Sequence, residues 1–190
     1  WLNRDPCGRP KRSLKRPEGN STSRKARGWL LDVYPSDNGE VTLWIISESG
    51  QRLKLIDKFR PRMYISGNQD DLEDLTDYLY TSESVAGWRF VTKQADIMDS
   101  KKSMVLEIQI SDCRRTPDFA RNLLRLGGHR KLQLHNVDIP GDQLYLYDND
   151  LFPLAFLEVE GEDQSLRFNL MDTVASTDYR VPPLRVMWID

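Results

Sequence analysis

Apolar residues along this chain alternate with polar ones over most of its length and recur at three and four positions in two short stretches, so strands should dominate and two helices should interrupt them. Trp29-Leu30-Leu31-Asp32-Val33-Tyr34 reads as a strand, Asp37-Asn38-Gly39 as a tight turn, and Val41, Leu43 and Ile45 as the inward positions of a return strand. A second turn at Glu48-Ser49-Gly50 leads to alternating Arg52-Leu53-Lys54-Leu55, completing a three-stranded antiparallel meander. Pro61 cannot donate to a ladder, so pairing should stop there and resume with Arg62-Met63-Tyr64-Ile65. Leu72, Leu75 and Leu79 mark one face of a helix, with Asp70 and Glu73 as its capping box. Gly87 to Lys93 and Ser103 to Ile110 read as strands. The second helix has Thr116 as N-cap, Pro117 in its first turn, Phe119, Leu123 and Leu126 on one face and Gly127-Gly128 as its stop. Lys131 to Asp138 closes the series as a strand.

From Arg62 onward the order is therefore strand, helix, strand, strand, helix, strand, the split β-α-β or ferredoxin-like arrangement. The expected class is α+β: an antiparallel meander and a split β-α-β sheet with two helices on one face, followed by C-terminal strands. The other sheet face is left free for a partner or for the meander. Between Gln133 and Gly161 an alternating strand passes through Asp138-Ile139-Pro140 into a Tyr-rich segment, then through Phe152-Pro153 into a second apolar strand. Two compact units should meet there. Ser165 to Leu170 alternates again, and Pro182-Pro183 feeds an apolar strand from Leu184 to Asp190.

The net charge of −2 conceals a polar division. Residues 1 to 28 hold nine lysines and arginines against Asp5 and Glu18, a balance of +7, which leaves −9 on the remainder. This leader is rich in Pro, Gly and Ser and has no periodic apolar face, so it reads as an irregular basic arm ahead of a folded domain beginning near Gly28. Such an arm suits a polyanion, because each cation placed on a phosphate releases counterions; a solvated tail is the alternative. Trp1 is not a natural start, so the chain is expected to be trimmed at this end. No run of about 18 apolar residues and no signal-peptide core occurs, which points to the cytoplasm. Cys7 and Cys113 stand far apart, which argues against a disulfide framework and a thiolate metal site.

Catalytic signatures are missing. His129 and His135 are the only histidines and have no metal-ligand spacing, and there is no dinucleotide fingerprint, phosphate loop or nucleophile elbow. Binding is the expected role. Arg114-Arg115 precede the second helix, Arg121 and Arg125 lie one turn apart on its polar side, and His129-Arg130-Lys131 follow it, forming a basic ridge able to hold phosphates. The same arginines could simply solvate an amphipathic helix. Phe59-Arg60-Pro61 with Tyr64, and Trp88-Arg89-Phe90, set aromatics beside arginines, a combination that stacks bases and neutralises phosphates in single-strand binders. Aromatics in strands also serve as core. Met104 to Ile110 carries no aromatic, unlike the third strand of an RNA-recognition motif.

Several of these stretches together resemble one family. Val137-Asp138-Ile139-Pro140, Leu151-Phe152-Pro153 and Glu158-Val159-Glu160-Gly161 are similar to the passage closing the N-terminal domain of B-family DNA polymerases, with Gln143-Leu144-Tyr145-Leu146 where the family usually has Arg-Tyr-Leu. Leu30 to Val33, the meander with Asn38-Gly39, and Phe59-Arg60-Pro61-Arg62-Met63-Tyr64 resemble the family's opening strands and its Phe-x-Pro-x-x-Tyr segment. Asp178-Tyr179-Arg180-Val181-Pro182-Pro183-Leu184 looks like the approach to the exonuclease domain in the bacterial DNA polymerase II branch, with Val181 as an extra residue. The matches run from residue 29 to 190.

The resemblance implies a non-catalytic N-terminal domain that scaffolds the 3′–5′ exonuclease domain and guides single-stranded template DNA. Its divisions would be a basic arm over 1–28, a polymerase N-terminal domain over 29–161 (meander 29–58, split β-α-β 59–138, connector 139–161), and strands over 162–190 entering the exonuclease domain. Strand-contact candidates are Arg60, Tyr64, Arg121, Arg125, Arg130 and Lys131. Asp190 would be the first exonuclease-motif carboxylate, a ligand for Mg2+ only in a longer parent enzyme. Expected partners are single-stranded template DNA and the exonuclease and polymerase domains of the same chain, in a cytoplasmic, nucleoid-associated setting. Archaeal members sense template uracil near the segment that holds Phe59-Arg60-Pro61 and Tyr64. The alternatives are a stand-alone ferredoxin-like interaction domain and a divergent RNA-binding module.

Overall fold

The computed structural model describes residues 24–94, 101–127, 132–173, 175 and 181–184. The strands are β1 (Arg24–Pro35), β2 (Glu40–Ser47), β3 (Arg52–Lys58), β4 (Arg62–Ser66), β5 (Val85–Gln94), β6 (Lys102–Ile110), β7 (Gln133–His135), β8 (Phe156–Glu162) and β9 (Ser165–Leu170). The helices are α1 (Gln69–Thr81), α2 (Thr116–Gly127) and α3 (Gly141–Asp148). They build an antiparallel five-stranded sheet in the order β3-β2-β1-β8-β9 and an antiparallel four-stranded sheet in the order β5-β6-β4-β7.

The four-stranded sheet has the expected split β-α-β layout. Its core face presents Met63, Ile65, Leu106, Ile108 and Ile110, against which α1 packs Leu72, Leu75 and Leu79 and α2 packs Phe119 and Leu123. The predicted caps differ. Asn68 stands at the N-cap of α1 without a side-chain bond, and Glu73 accepts from the Gln69 side chain at 2.8 Å, so Asp70 and Glu73 form no capping box. Before α2 a 3-10 turn over Cys113–Arg115 intervenes, and Asp112 caps that turn by accepting from the Arg114 N–H at 3.0 Å. Thr116 Oγ1 is buried without a partner, so Asp112, four residues ahead of the expected cap, takes the orphan Arg114 N–H instead. Leu126, although spaced for the Phe119–Leu123 stripe, is 52% exposed in the last turn of α2.

The meander gains two strands. β8 pairs with β1 from Arg24↔Gly161 to Trp29↔Phe156, and β9 pairs with β8. The Gln133–Gly161 stretch is thus more than a connector: its second half is a central strand of the meander's own sheet. β1 also starts earlier than expected, since Arg24 to Arg27, assigned to the basic arm, are in ladder with β8. An irregularity between Leu30 and Asp32 inserts Leu31, which lets both Leu30 and Val33 point into the core while Leu31 is turned out. The sheet curls until its edges meet: Gln164 N–H donates to the Ile56 carbonyl at 2.7 Å, and Leu166 N–H to Asp57 Oδ1 at 3.2 Å. Inside this near-barrel lie Leu43, Ile45, Leu55, Leu157 and Val159, with Phe59, Leu144 and Tyr145 closing one end.

The two sheets are joined at a tight turn. Asn38 (φ 62°) and Gly39 (φ 70°) take left-handed conformations, and a Cβ at Gly39 would run into the Ser111 carbonyl oxygen. The Gly39 carbonyl accepts from Phe59 N–H at 2.9 Å, and the Pro61 carbonyl accepts from Ile110 N–H at 3.0 Å. The final predicted strand, Leu184 to Asp190, lies outside the described residues beyond Leu184.

Candidate nucleic-acid interface

Strand register fixes which side chains share the open face of the four-stranded sheet. The pairs Arg89↔Glu107, Tyr64↔Glu107 and Tyr64↔His135 put Arg89, Glu107, Tyr64 and His135 in one row across all four strands. Their neighbours Trp88, Ile108 and Met63 occupy the core face, as period-two alternation requires. Two residues on from Val91, Lys93 extends over the row, with Nζ 2.9 Å from the Tyr64 hydroxyl and 4.2 Å from its ring centroid, a cation–π contact. Arg89 Nε donates to Glu107 Oε1 at 2.7 Å; the carboxylate is buried while the guanidinium stays 65% exposed. Ser66 Oγ and His135 Nε2 lie 2.9 Å apart.

Arg62 sits on the same face, two residues before Tyr64, and bonds Asp148 of α3 at 3.0 Å, the hydrogen bond that raises its pKa above the ordinary arginine value. The face thus carries Arg62, Arg89 and Lys93 around one half-buried tyrosine, with Glu107 and Asp148 as their anchors. Anchoring holds the cations in place without removing their donors: an Arg fork bound by one carboxylate oxygen keeps further N–H groups. Arg60, exposed in the β3–β4 link between buried Phe59 and Pro61, adds a cation near the start of β4.

The six expected contact residues do not form one site. Tyr64 lies on the open face, whereas Arg121 and Arg125 project from the outer side of α2, which covers the opposite face. Arg121 is paired with Asp118, and Arg114 of the same ridge donates to Asp112 at 2.9 Å. Arg130, Lys131 and Asp190 lie outside the described residues. Phe59, Trp88 and Phe90 belong to the cores, so of the aromatics set beside arginines only Tyr64 faces outward. Arg62, Arg89, Lys93 and His135 were missing from the expected set. Strand parity carries their signal, since Arg89, Val91 and Lys93 alternate with Trp88 and Phe90.

Among the described residues no three His, Cys, Asp or Glu side chains gather into a metal-binding group, and no helix is long and apolar enough to cross a membrane. Cys113 is buried, and desolvation pushes its thiol above the ordinary cysteine value, which makes it a poor nucleophile.

No family profile and no curated protein matches the chain. Among solved structures the chain is similar to the family B DNA polymerase of the hyperthermophilic archaeon Pyrobaculum calidifontis, with a TM-score of 0.61 and 21% identity. The match covers 83% of this chain and 21% of that polymerase, so the shared part is one fold within a much longer protein.

Proposed function

We propose that this chain is a non-catalytic N-terminal domain of a B-family DNA polymerase that guides single-stranded template DNA and scaffolds the exonuclease domain of the same polypeptide. One observation carries the strand-guiding part: Tyr64 stands on a central strand, facing away from the helices, under Lys93 and beside Arg89 and Arg62. A base stacked on such a ring contributes about 1–3 kcal/mol, and flanking cations hold the phosphates on either side. The fold shared with an archaeal family B polymerase supports the family. The narrower placement in the bacterial polymerase II branch rests on the Asp178-to-Leu184 motif alone, and the Mg2+ chemistry of Asp190 and the sensing of template uracil belong to the same reading.

The test is salt-dependent association with a fluorescent single-stranded oligonucleotide. Replacing both Arg89 and Lys93 by Ala should weaken binding and flatten the log-affinity against log-salt slope by about 1.4, the share of two phosphate contacts on a single strand. Arg121→Ala with Arg125→Ala should leave the slope unchanged. The opposite pattern would move the strand to the helical ridge. Tyr64 also suits the RNA-binding alternative, because RNA-recognition motifs stack bases on that face; here Glu107 and Gln109 occupy the neighbouring strand, and tighter binding of RNA than of DNA would favour that alternative.

A further inference from the structure

The near-barrel is closed at one end and open at the other. Tyr145, Phe59 and Leu144 fill the closed end. At the open end the small side chain of Ala26 leaves a cavity of about 450 Å³ walled by Leu53, Leu55, Val159 and Leu166, of which Leu53 and Leu166 are only half-buried. The cavity lies where the two sheet edges part. The β3 and β9 edges meet at Ile56, through the bond from Gln164, while among the described residues Arg52 to Leu55 are in ladder with β2 on one side only. The rim carries Lys25, Arg52 and Lys54 against Asp163. Lys25 is bound by Glu160 at 2.5 Å and Glu158 at 3.2 Å, whereas Arg52 and Lys54 are exposed and form no ion pair among the described residues.

Three properties therefore coincide: an apolar cavity of the size that takes one or two large side chains, a strand edge whose outer backbone groups are unused among the described residues, and a cationic rim. A small apolar molecule would use only the first. A nucleic-acid strand would use the rim but has no reason to enter an aliphatic cavity. An extended peptide uses all three, adding main-chain bonds to β3, placing an apolar anchor between Ala26 and Leu166, and setting acidic flanks against Arg52 and Lys54. We propose that this barrel mouth is a docking site for an acidic peptide segment with an apolar anchor, bound in extended form along β3. The site stands apart from the open face of the four-stranded sheet and does not depend on its role.

Fluorescence anisotropy on the whole chain tests this with a labelled peptide of sequence Asp-Glu-Leu-Phe-Asp-Glu. Saturable binding is expected, weakened about tenfold by Arg52→Glu with Lys54→Glu, two exposed positions whose change leaves the fold intact. Ala26→Met, which fills the cavity, should weaken it comparably, with circular dichroism verifying folding; should that variant unfold, the peptide with Ser-Ser in place of Leu-Phe makes the same test from the other side and should bind at least tenfold more weakly. The proposal is overturned if the acidic peptide does not saturate, if the Ser-Ser peptide or a Lys-Lys-Leu-Phe-Lys-Lys peptide binds as tightly, or if a single-stranded oligonucleotide displaces the peptide competitively.

Discussion

Tyr145 shows how one side chain can hold a fold that is otherwise aliphatic. It is 1% exposed, its ring stands edge-on to Phe59 and Phe168, and its hydroxyl donates to Asp57 Oδ2 at 2.8 Å. Asp57 in turn accepts the Leu166 N–H that helps to join β9 to β3. Removing the hydroxyl leaves a buried carboxylate short of a donor, so Tyr145→Phe should lower stability by about 1.5–3 kcal/mol, measured by urea denaturation at neutral pH. Burial first, and the Asp57 charge second, push the Tyr145 phenol far above its ordinary 10.0. A raised folded pKa gives stability that is intact below pH 10 and lost as pH rises beyond it, because only the unfolded chain then releases the proton. The alkaline loss should be smaller in Tyr145→Phe. None of this was legible in the sequence, where Tyr145 was one member of a Tyr-rich segment and its partner lay 88 positions away.

At the scale of elements the sequence was informative wherever a pattern was local. Alternation located the strands of both sheets, and the Leu72–Leu75–Leu79 and Phe119–Leu123 stripes located α1 and α2, because burial on one face imposes those periods. The cap ahead of α2 was misread because Asp112, outside the helix, made the bond instead, whereas at α1 the N-cap Asn68 makes no side-chain bond at all. Asp112 is the consequential one: its carboxylate is held below the ordinary 3.8 mainly by the Arg114 guanidinium, with the Arg114 N–H also bonding it. Glu158 is held below its ordinary 4.5 by Arg27 first and Lys25 second, the pairs that tie β8 to the start of β1. A depressed folded pKa contributes stability that is present above the unfolded value and lost as pH falls through the folded one. Stability should therefore be flat near neutrality and fall below about pH 4.5, and Asp112→Asn should show a shallower decline than the parent chain in denaturant midpoints recorded from pH 6 to pH 3. The candidate interface was only half legible for a related reason. Helical spacing places Arg121 beside Arg125, and strand parity sets Arg89 with Lys93; the expected split β-α-β order already put the helices and the open sheet face on opposite sides of one core, yet the candidate set joined residues from both.

At the scale of the whole molecule the described residues build two apolar cores, one in the near-barrel and one between the four-stranded sheet and its helices, and the question is whether they unfold separately. The contacts between them include close backbone contacts, which tolerate little slack. Gly39 closes on Ser111 at the end of β6, Phe59 N–H bonds the Gly39 carbonyl, and Pro61 accepts from Ile110, so the turn opening β2 and the link from β3 to β4 are clamped by the second sheet. Gly141 presses α3 against Cys113, where a Cβ would stand 2.9 Å from Sγ, and α3 delivers Tyr145 to the barrel and Asp148 to Arg62 of the sheet. Opening either core would break bonds that the other needs. The two should thus melt as a single cooperative unit, as small domains usually do. Trp29 and Trp44 report on the barrel and Trp88 on the four-stranded sheet, so variants with the other tryptophans replaced by Phe should give coincident urea transitions. Leu43→Ala in one core and Leu123→Ala in the other, each costing about 2–5 kcal/mol, should shift both reporters together. Separation of the two curves by either substitution would mean that the Gly39–Ser111 junction does not couple the cores, and a strand bound on the open sheet face would then stabilise only its own half.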